Sequence, residues 1–329
     1  MTGLSVIGAG AWGTALAQTI SSTGKNVTLW ARSPELAHDI NAHTQNKAYL
    51  EGYPLNPSIK ATSELQIAMQ SDIILMVTPA QAMRNILQDM KPHIRTEHTL
   101  ILCSKGIELS SGKLMSEVAQ ETLPNTPIAI LSGPNFAHEI AAGKPAATTL
   151  ACTDDNLAQT LQNAIASPNF RPYISNDIIG TQIAGALKNV IAIACGIAHG
   201  LQMGESARAS LVTRGLLEIA RLGVAIGANY ETFLGQCGIG DMMLTCSSEK
   251  SRNFSLGYEL GKGDSLNDIL KRRKTVTEGV HTATSILPLC HKHNIDMPIT
   301  LAVHKCLNEG LSLDEALQDM LNRPVGHEI

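Results

Sequence analysis

The stretch VIGAGAWGTALA, Val6 to Ala17, constrains the fold more than any other part of the chain. A short apolar strand leads into Gly8, Gly10 and Gly13 at the spacing G-x-G-x-x-G, and a helix-like run follows. Between a strand and a helix this spacing forms a dinucleotide-binding loop. Gly8 permits the tight turn, Gly10 lets the backbone approach a pyrophosphate, and Gly13 allows close packing of helix on strand. The helix N-terminus then offers amide donors to the anion. A glycine-rich turn without a ligand has the same spacing, so the loop alone names neither cofactor nor reaction.

The first half of the chain repeats this strand-then-helix alternation. Strands are expected at Leu4 to Ile7, Val27 to Trp30, Asp72 to Val77, Thr99 to Cys103, Ile128 to Leu131 and Ala147 to Ala151. Nearly continuous apolar strands separated by helices predict a parallel sheet covered on both faces, a Rossmann-type α/β fold. Such sheets bind ligands at the carboxyl ends of their strands. The residues there are the glycine loop, Ala31 to Ser33, Thr78 to Gln81, Ser104 to Glu108 and Ser132 to Glu139. From about Asp177 the β pattern fades and the chain reads as helical. The turn-rich segment PNFRPYISND, Pro168 to Asp177, marks the expected boundary. The expected organisation is a dinucleotide-binding domain over 1–177 and an all-helical domain over 178–329, with the active site between them.

Composition narrows the function classes. In 329 residues there is room for two domains, and a net charge of −4 gives no electrostatic case for nucleic acid. The one dense basic run, Lys271 to Lys274, reads as a solvated helix end or loop. Seven cysteines without a C-x-x-C pair fit neither a disulfide framework nor a zinc site, and suit a reducing compartment. The first strand begins too soon after Met1 for a signal peptide, so a cytoplasmic location is expected. Ile178 to Ala198 is apolar but carries Lys188 and many small residues, which fits a buried core helix better than a membrane span. His291 and His293 do not share a helix face and imply no metal. Ser132 lacks the G-x-S-x-G elbow of a serine hydrolase, and the glycine loop is not a P-loop.

Three constellations carry candidate chemistry. After the second strand, where a 2′-hydroxyl reader would place a carboxylate, stand Arg32 and Ser33, and no acid occurs before Glu35. Arg32 suits a 2′-phosphate, so NADP is the expected cofactor over NAD. Lys188 sits in a helical run beside Ala184, Gly185, Ile191 and Ala192, a face with space for a ligand. A buried lysine has to be paired, mobile or functional, and lysine is a common acid–base group. Asn189 beside it is placed to bond substrate or orient cofactor. Finally, Asp241 reads either as a helix cap or as part of a site, and Ser251, Arg252 and Asn253 at a helix start suit a phosphate or a solvated polar cap.

Together these stretches resemble the NAD(P)-dependent glycerol-3-phosphate dehydrogenases of bacterial type. The motifs are VIGAGAWGTALA, CSKGIE, LSGPNFAHEIAAG, ALKNVIAIACGIAHGL, TRGLLEIARLG, GIGDMMLTCSSEKSRN and TVTEGVHTA, in the family's order as far as about residue 300. The resemblance implies reversible reduction of dihydroxyacetone phosphate to sn-glycerol 3-phosphate for phospholipid synthesis, in a homodimer. It assigns acid–base catalysis to Lys188 and contacts with both substrate and cofactor to Lys105. Substrate contacts fall on Gly133, Asn135, Asp241, Ser251, Arg252 and Asn253. Cofactor contacts fall on Ala11, Trp12, Arg32, Ala137, Arg252, Val276 and Glu278, with the three loop glycines. Asn135 departs from the family's Ser or Thr, and Ala11 from a hydroxyl residue. The nearest rival is a two-domain reductase of a β-hydroxyacid or ketopantoate, and a non-catalytic redox sensor is the alternative of another class. A sensor has no need of Lys188, Lys105 and Arg252.

Overall fold

The computed structural model describes residues 3–273 and 277–325. Eight strands form one sheet: β1 Leu4–Ile7, β2 Val27–Trp30, β3 Ile59–Thr62, β4 Ile73–Met76, β5 Thr99–Leu102, β6 Ile128–Ser132, β7 Ala146–Ala151 and β8 Phe170–Ser175. Their order across the sheet is β3-β2-β1-β4-β5-β6-β7-β8. The central strands β1, β4 and β5 are buried at every position, because helices cover both faces.

Three features correct the sequence reading. The sheet is not wholly parallel: β6 and β7 pair antiparallel, and β8 then runs parallel to β7. The β3 strand was not expected, since Lys60 interrupts an already short apolar run at the sheet edge. The segment read as turns, Pro168 to Asp177, contains β8. Pro172 is tolerated there because β8 is an edge strand with one side free of partners.

Beyond Ser175 the described residues hold helices and no strand. Asp177 caps the 23-residue helix Ile178–Gly200, its Oδ1 accepting from the Gly180 N–H at 2.8 Å. This helix is long and apolar enough to cross a membrane, but 89% of its apolar window is buried inside the protein, and it serves as the core about which the other helices pack. The Arg252–Gly261 helix crosses it backbone to backbone. A Cβ on Gly196 would meet the Phe254 carbonyl oxygen at 2.0 Å, and one on Gly257 would meet that of Ile193 at 2.0 Å. The small residues of the central helix are thus contact points, and the crossing brings Asn253 against Asn189.

A carboxylate braces the far side of this bundle. Glu218, on the Glu205–Ala225 helix and 1% exposed, accepts from the Ile299 and Thr300 N–H groups at 2.8 and 3.2 Å, at the start of the Pro298–Asn308 helix. Burial pushes its pKa up to about 7. Glu218→Ala is expected to lower unfolding stability by at least about 2 kcal/mol, because buried N–H groups lose their acceptor. Urea denaturation at pH 6 measures this, and a loss below about 0.5 kcal/mol would contradict the bracing role.

Candidate active site

The parallel strands deliver the expected loops to one edge of the sheet. In the glycine loop Gly8 has φ of +121°, and a Cβ there would lie 2.4 Å from the Val77 oxygen. A Cβ on Gly13 would lie 1.8 Å from the Gly8 oxygen, so the Ala11–Ser21 helix seats directly on the loop. Nothing lies within 4 Å of a Cβ on Gly10. That open space at a helix N-terminus fits a pyrophosphate and the backbone of Ala11. Trp12 is half-buried, its ring edge-on to Phe170 with centroids 6.5 Å apart, so its body is fixed from the protein side.

Arg32 projects into solvent after β2 and has no hydrogen-bond or ionic partner among the described residues. Glu35 does not compete for a ribose, because its carboxylate accepts from the Ser33 hydroxyl at 2.5 Å. Ser33 also caps the following helix. An unpartnered cation with no free acid beside it fits a 2′-phosphate. Glu278 reaches across from the helical side, accepting the Ala80 N–H on Oε1 at 3.1 Å while its buried Oε2 has no partner among the described residues. Ala137 opens the short Ala137–Ala141 helix and packs against the sheet core. Val276 lies outside the described residues. The open Gly10, the free Arg32 and the orphaned Glu278 oxygen together fit a dinucleotide.

The chemistry centres on Asp241, which is 1% exposed. Its role as a cap is not what the structure shows: Asp241 is the first residue of the Asp241–Cys246 helix, and its side chain caps nothing. Instead Oδ1 accepts from Lys188 Nζ at 2.7 Å and Oδ2 from Lys105 Nζ at 2.6 Å. Lys188 also donates to Thr245 Oγ1 at 2.7 Å, and Lys105 to the Gly133 carbonyl at 3.0 Å. Burial and the second ammonium lower the Lys188 pKa to about 8, against the support of Asp241. Burial alone would raise the Asp241 pKa, but the two ammonium groups outweigh it and hold the carboxyl below its ordinary range. Two cations share one anion, so the cluster carries one positive charge in excess.

Lys105 is held in place by its own loop. Gln81 Nε2 donates to the Ile107 carbonyl, and Arg84 grips Glu108 through two 2.8 Å bonds, tying the β5 loop to the β4 loop. Asn135 follows β6, and both atoms of its amide are buried without a partner among the described residues, as a group awaiting a ligand would be. On the other wall Ser251 caps its helix by accepting the Phe254 N–H at 3.2 Å. Asn253 donates to Asn189 Oδ1 at 2.9 Å and accepts the Gly279 N–H at 3.0 Å. The Arg252 side chain reaches solvent, and the protein packed around it pulls its pKa below the ordinary value. Thr245 was missed from sequence. It lies four residues after Asp241 on one helix, so the i, i+4 relation was the available signal.

Comparison with known proteins agrees in both halves of the chain. Two family models match, described as NAD-dependent glycerol-3-phosphate dehydrogenase N-terminus over residues 3–158 and C-terminus over residues 177–318. The chain belongs to the NAD-dependent glycerol-3-phosphate dehydrogenase family. It is 48% identical to the glycerol-3-phosphate dehydrogenase [NAD(P)+] of Parvibaculum lavamentivorans, over 99% of this chain and 98% of that one. It is 49% identical to the enzyme of that name from Rhodospirillum rubrum, covering 98% and 93% of the two chains. Among solved structures, a glycerol-3-phosphate dehydrogenase from Coxiella burnetii superposes with a TM-score of 0.94 at 35% identity, covering 98% and 99% of the chains. Family membership makes the chain an NAD(P)-dependent oxidoreductase and sets aside the sensor and the hydroxyacid reductase.

Proposed function

We propose that this chain reversibly reduces dihydroxyacetone phosphate to sn-glycerol 3-phosphate, with NADPH preferred over NADH. The observation that carries the reading is Asp241 holding Lys188 and Lys105 together beside the orphaned amide of Asn135. The glycine loop and Arg32 hold the dinucleotide, with Ala11, Trp12, Ala137, Val276 and Glu278 completing its contacts. The reduced nicotinamide supplies a hydride when bound. Lys188 carries a proton on Nζ toward the substrate carbonyl oxygen and balances the charge that develops there. Lys105, Gly133, Asn135, Ser251, Arg252 and Asn253 hold the three-carbon phosphate, so that phosphate binding energy serves orientation. Arg252 gives that phosphate its guanidinium.

The division at 177/178 rests on Asp177, which caps the central helix just after the last strand. The product's role in phospholipid synthesis, a cytoplasmic location and a homodimer are part of the same reading, supported by the resemblance of the seven motifs.

Steady-state kcat/KM for dihydroxyacetone phosphate with NADPH and NADH in parallel tests the reaction and the cofactor preference. Absence of turnover would overturn the first, and equal efficiencies the second. The pH profile tests the acid. With a Lys188 pKa of about 8, reduction is expected to hold below pH 8 and fall above it as the ammonium is lost. Oxidation, which needs neutral Lys188, rises through the same range. A reduction rate flat to pH 10 would remove Lys188 as the proton donor.

A further inference from the structure

We propose that Asn46 is the positioning residue that fixes the glycine loop in its anion-binding orientation, a proposal that rests on the dinucleotide reading of that loop. Asn46 lies in the irregular segment after the Pro34–His43 helix, where Thr44 at φ of +50° turns the chain back toward the loop. It is 0% exposed. Its Nδ2 donates to the Ala9 carbonyl at 2.9 Å and to Thr14 Oγ1 at 2.8 Å, while its Oδ1 accepts the Tyr49 N–H at 3.2 Å. One side-chain amide therefore grips the loop just before the Ala11–Ser21 helix and the first turn of that helix together.

The geometry gives this grip a consequence beyond packing. A trans peptide is planar, with N–H pointing opposite to C=O. With the Ala9 carbonyl drawn onto Asn46, the Gly10 N–H is aimed away from it. That N–H has no acceptor among the described residues, and the space around a Cβ of Gly10 is open. Asn46 thus holds an amide donor turned toward the place where a pyrophosphate would lie. Without it, the Ala9 carbonyl keeps only the long 3.5 Å bond from the Thr14 hydroxyl, and the Ala9–Gly10 peptide can rotate so that its carbonyl oxygen faces the anion. Asn56 braces the other end of the same helix, its N–H donating to Gln18 Oε1 at 2.7 Å and its Nδ2 to the Ser21 carbonyl at 3.2 Å. Those bonds fix the helix but do not touch the loop.

The test measures NADPH affinity by fluorescence titration, and kcat and KM for dihydroxyacetone phosphate at saturating NADPH, in the full-length protein. Three variants are compared with the parent. Asn46→Asp keeps the shape but cannot donate to Ala9, Asn46→Ser removes the reach, and Thr14→Val keeps Asn46 on Ala9 but deletes its second anchor together with the weak 3.5 Å bond from Thr14 to that carbonyl. The expected result is an NADPH Kd raised about tenfold or more in the two Asn46 variants, the factor that follows from losing one well-made hydrogen bond, and a smaller rise in Thr14→Val. The KM for dihydroxyacetone phosphate and kcat stay within about twofold. A purely structural residue would lower the melting temperature with Kd unchanged in the folded protein, and that result overturns the proposal. If Asn46→Asp is insoluble, Asn46→Ser and Thr14→Val carry the same comparison. A parent that fails to bind NADPH would instead refute the cofactor reading, so the two failures are distinguishable.

Discussion

Replacing Lys188 with alanine is expected to lower kcat for dihydroxyacetone phosphate reduction by about 10²–10⁴-fold, the range for removing a general acid. The variant should fold, because the carboxylate it abandons is not left alone: Asp241 Oδ2 still accepts from Lys105 at 2.6 Å. NADPH affinity should stay within about twofold, since the proposed role of Lys188 is to carry the proton and not to hold the cofactor. Lys188→Arg sharpens the test. A guanidinium stays protonated across the accessible range, so whatever activity remains should lose the fall above pH 8. Single-turnover rates from pH 6 to 10 in both variants check this. Activity within tenfold of the parent in Lys188→Ala would place the proton on another group.

The second large effect is expected at Asp241. Removing a buried carboxylate that serves two ammonium groups leaves uncompensated charge, with a stability loss of about 3–5 kcal/mol expected for Asp241→Leu. Asp241→Asn keeps the shape and one acceptor and should fold. Its loss of negative charge removes the largest interaction that supports the protonated form of Lys188 against burial and Lys105. The reduction limb that begins near pH 8 should therefore move to lower pH by about a unit or more. At neutral pH the variant would be slow because its lysine is neutral, and activity should partly return on acidification. A limb that stays in place would mean that Asp241 shapes the site without setting the charge on Lys188.

The legible parts of the fold share one property. β1, β4 and β5 are nearly continuous apolar runs, with only Ser5 and Thr99 polar, because both faces of the sheet are covered, and such runs stand out in any sequence. β3 and β8 sit at the edges, where Lys60, Arg171 and Tyr173 face solvent and the apolar pattern breaks. The reversed direction of β7 left no mark either, since side-chain alternation reads the same both ways along a strand.

The site divides similarly. Lys188 was visible as a charge in an apolar helix, and Ser251 as a cap before a helical run. The pairing of Lys105 with Asp241 spans 136 positions and depends on how the two halves meet, which no local pattern encodes. Asn46 was invisible for another reason: it acts through backbone atoms from an irregular segment, where no periodicity applies.

The crossing of the central helix by the Arg252–Gly261 helix has a consequence for how the enzyme chooses its substrate. Lys188 stands on one of these helices and Arg252 on the other, and the axes are locked by backbone atoms at Gly196 and Gly257. On the roles proposed for Lys188 and Arg252, the backbone spacing between proton donor and anion anchor is therefore fixed. Swapping side chains along the cleft can change what fills the interval but not its length. A longer or shorter phosphorylated ketone would require the two backbones to be respaced, so chain-length selectivity should resist engineering by point substitution at the site itself.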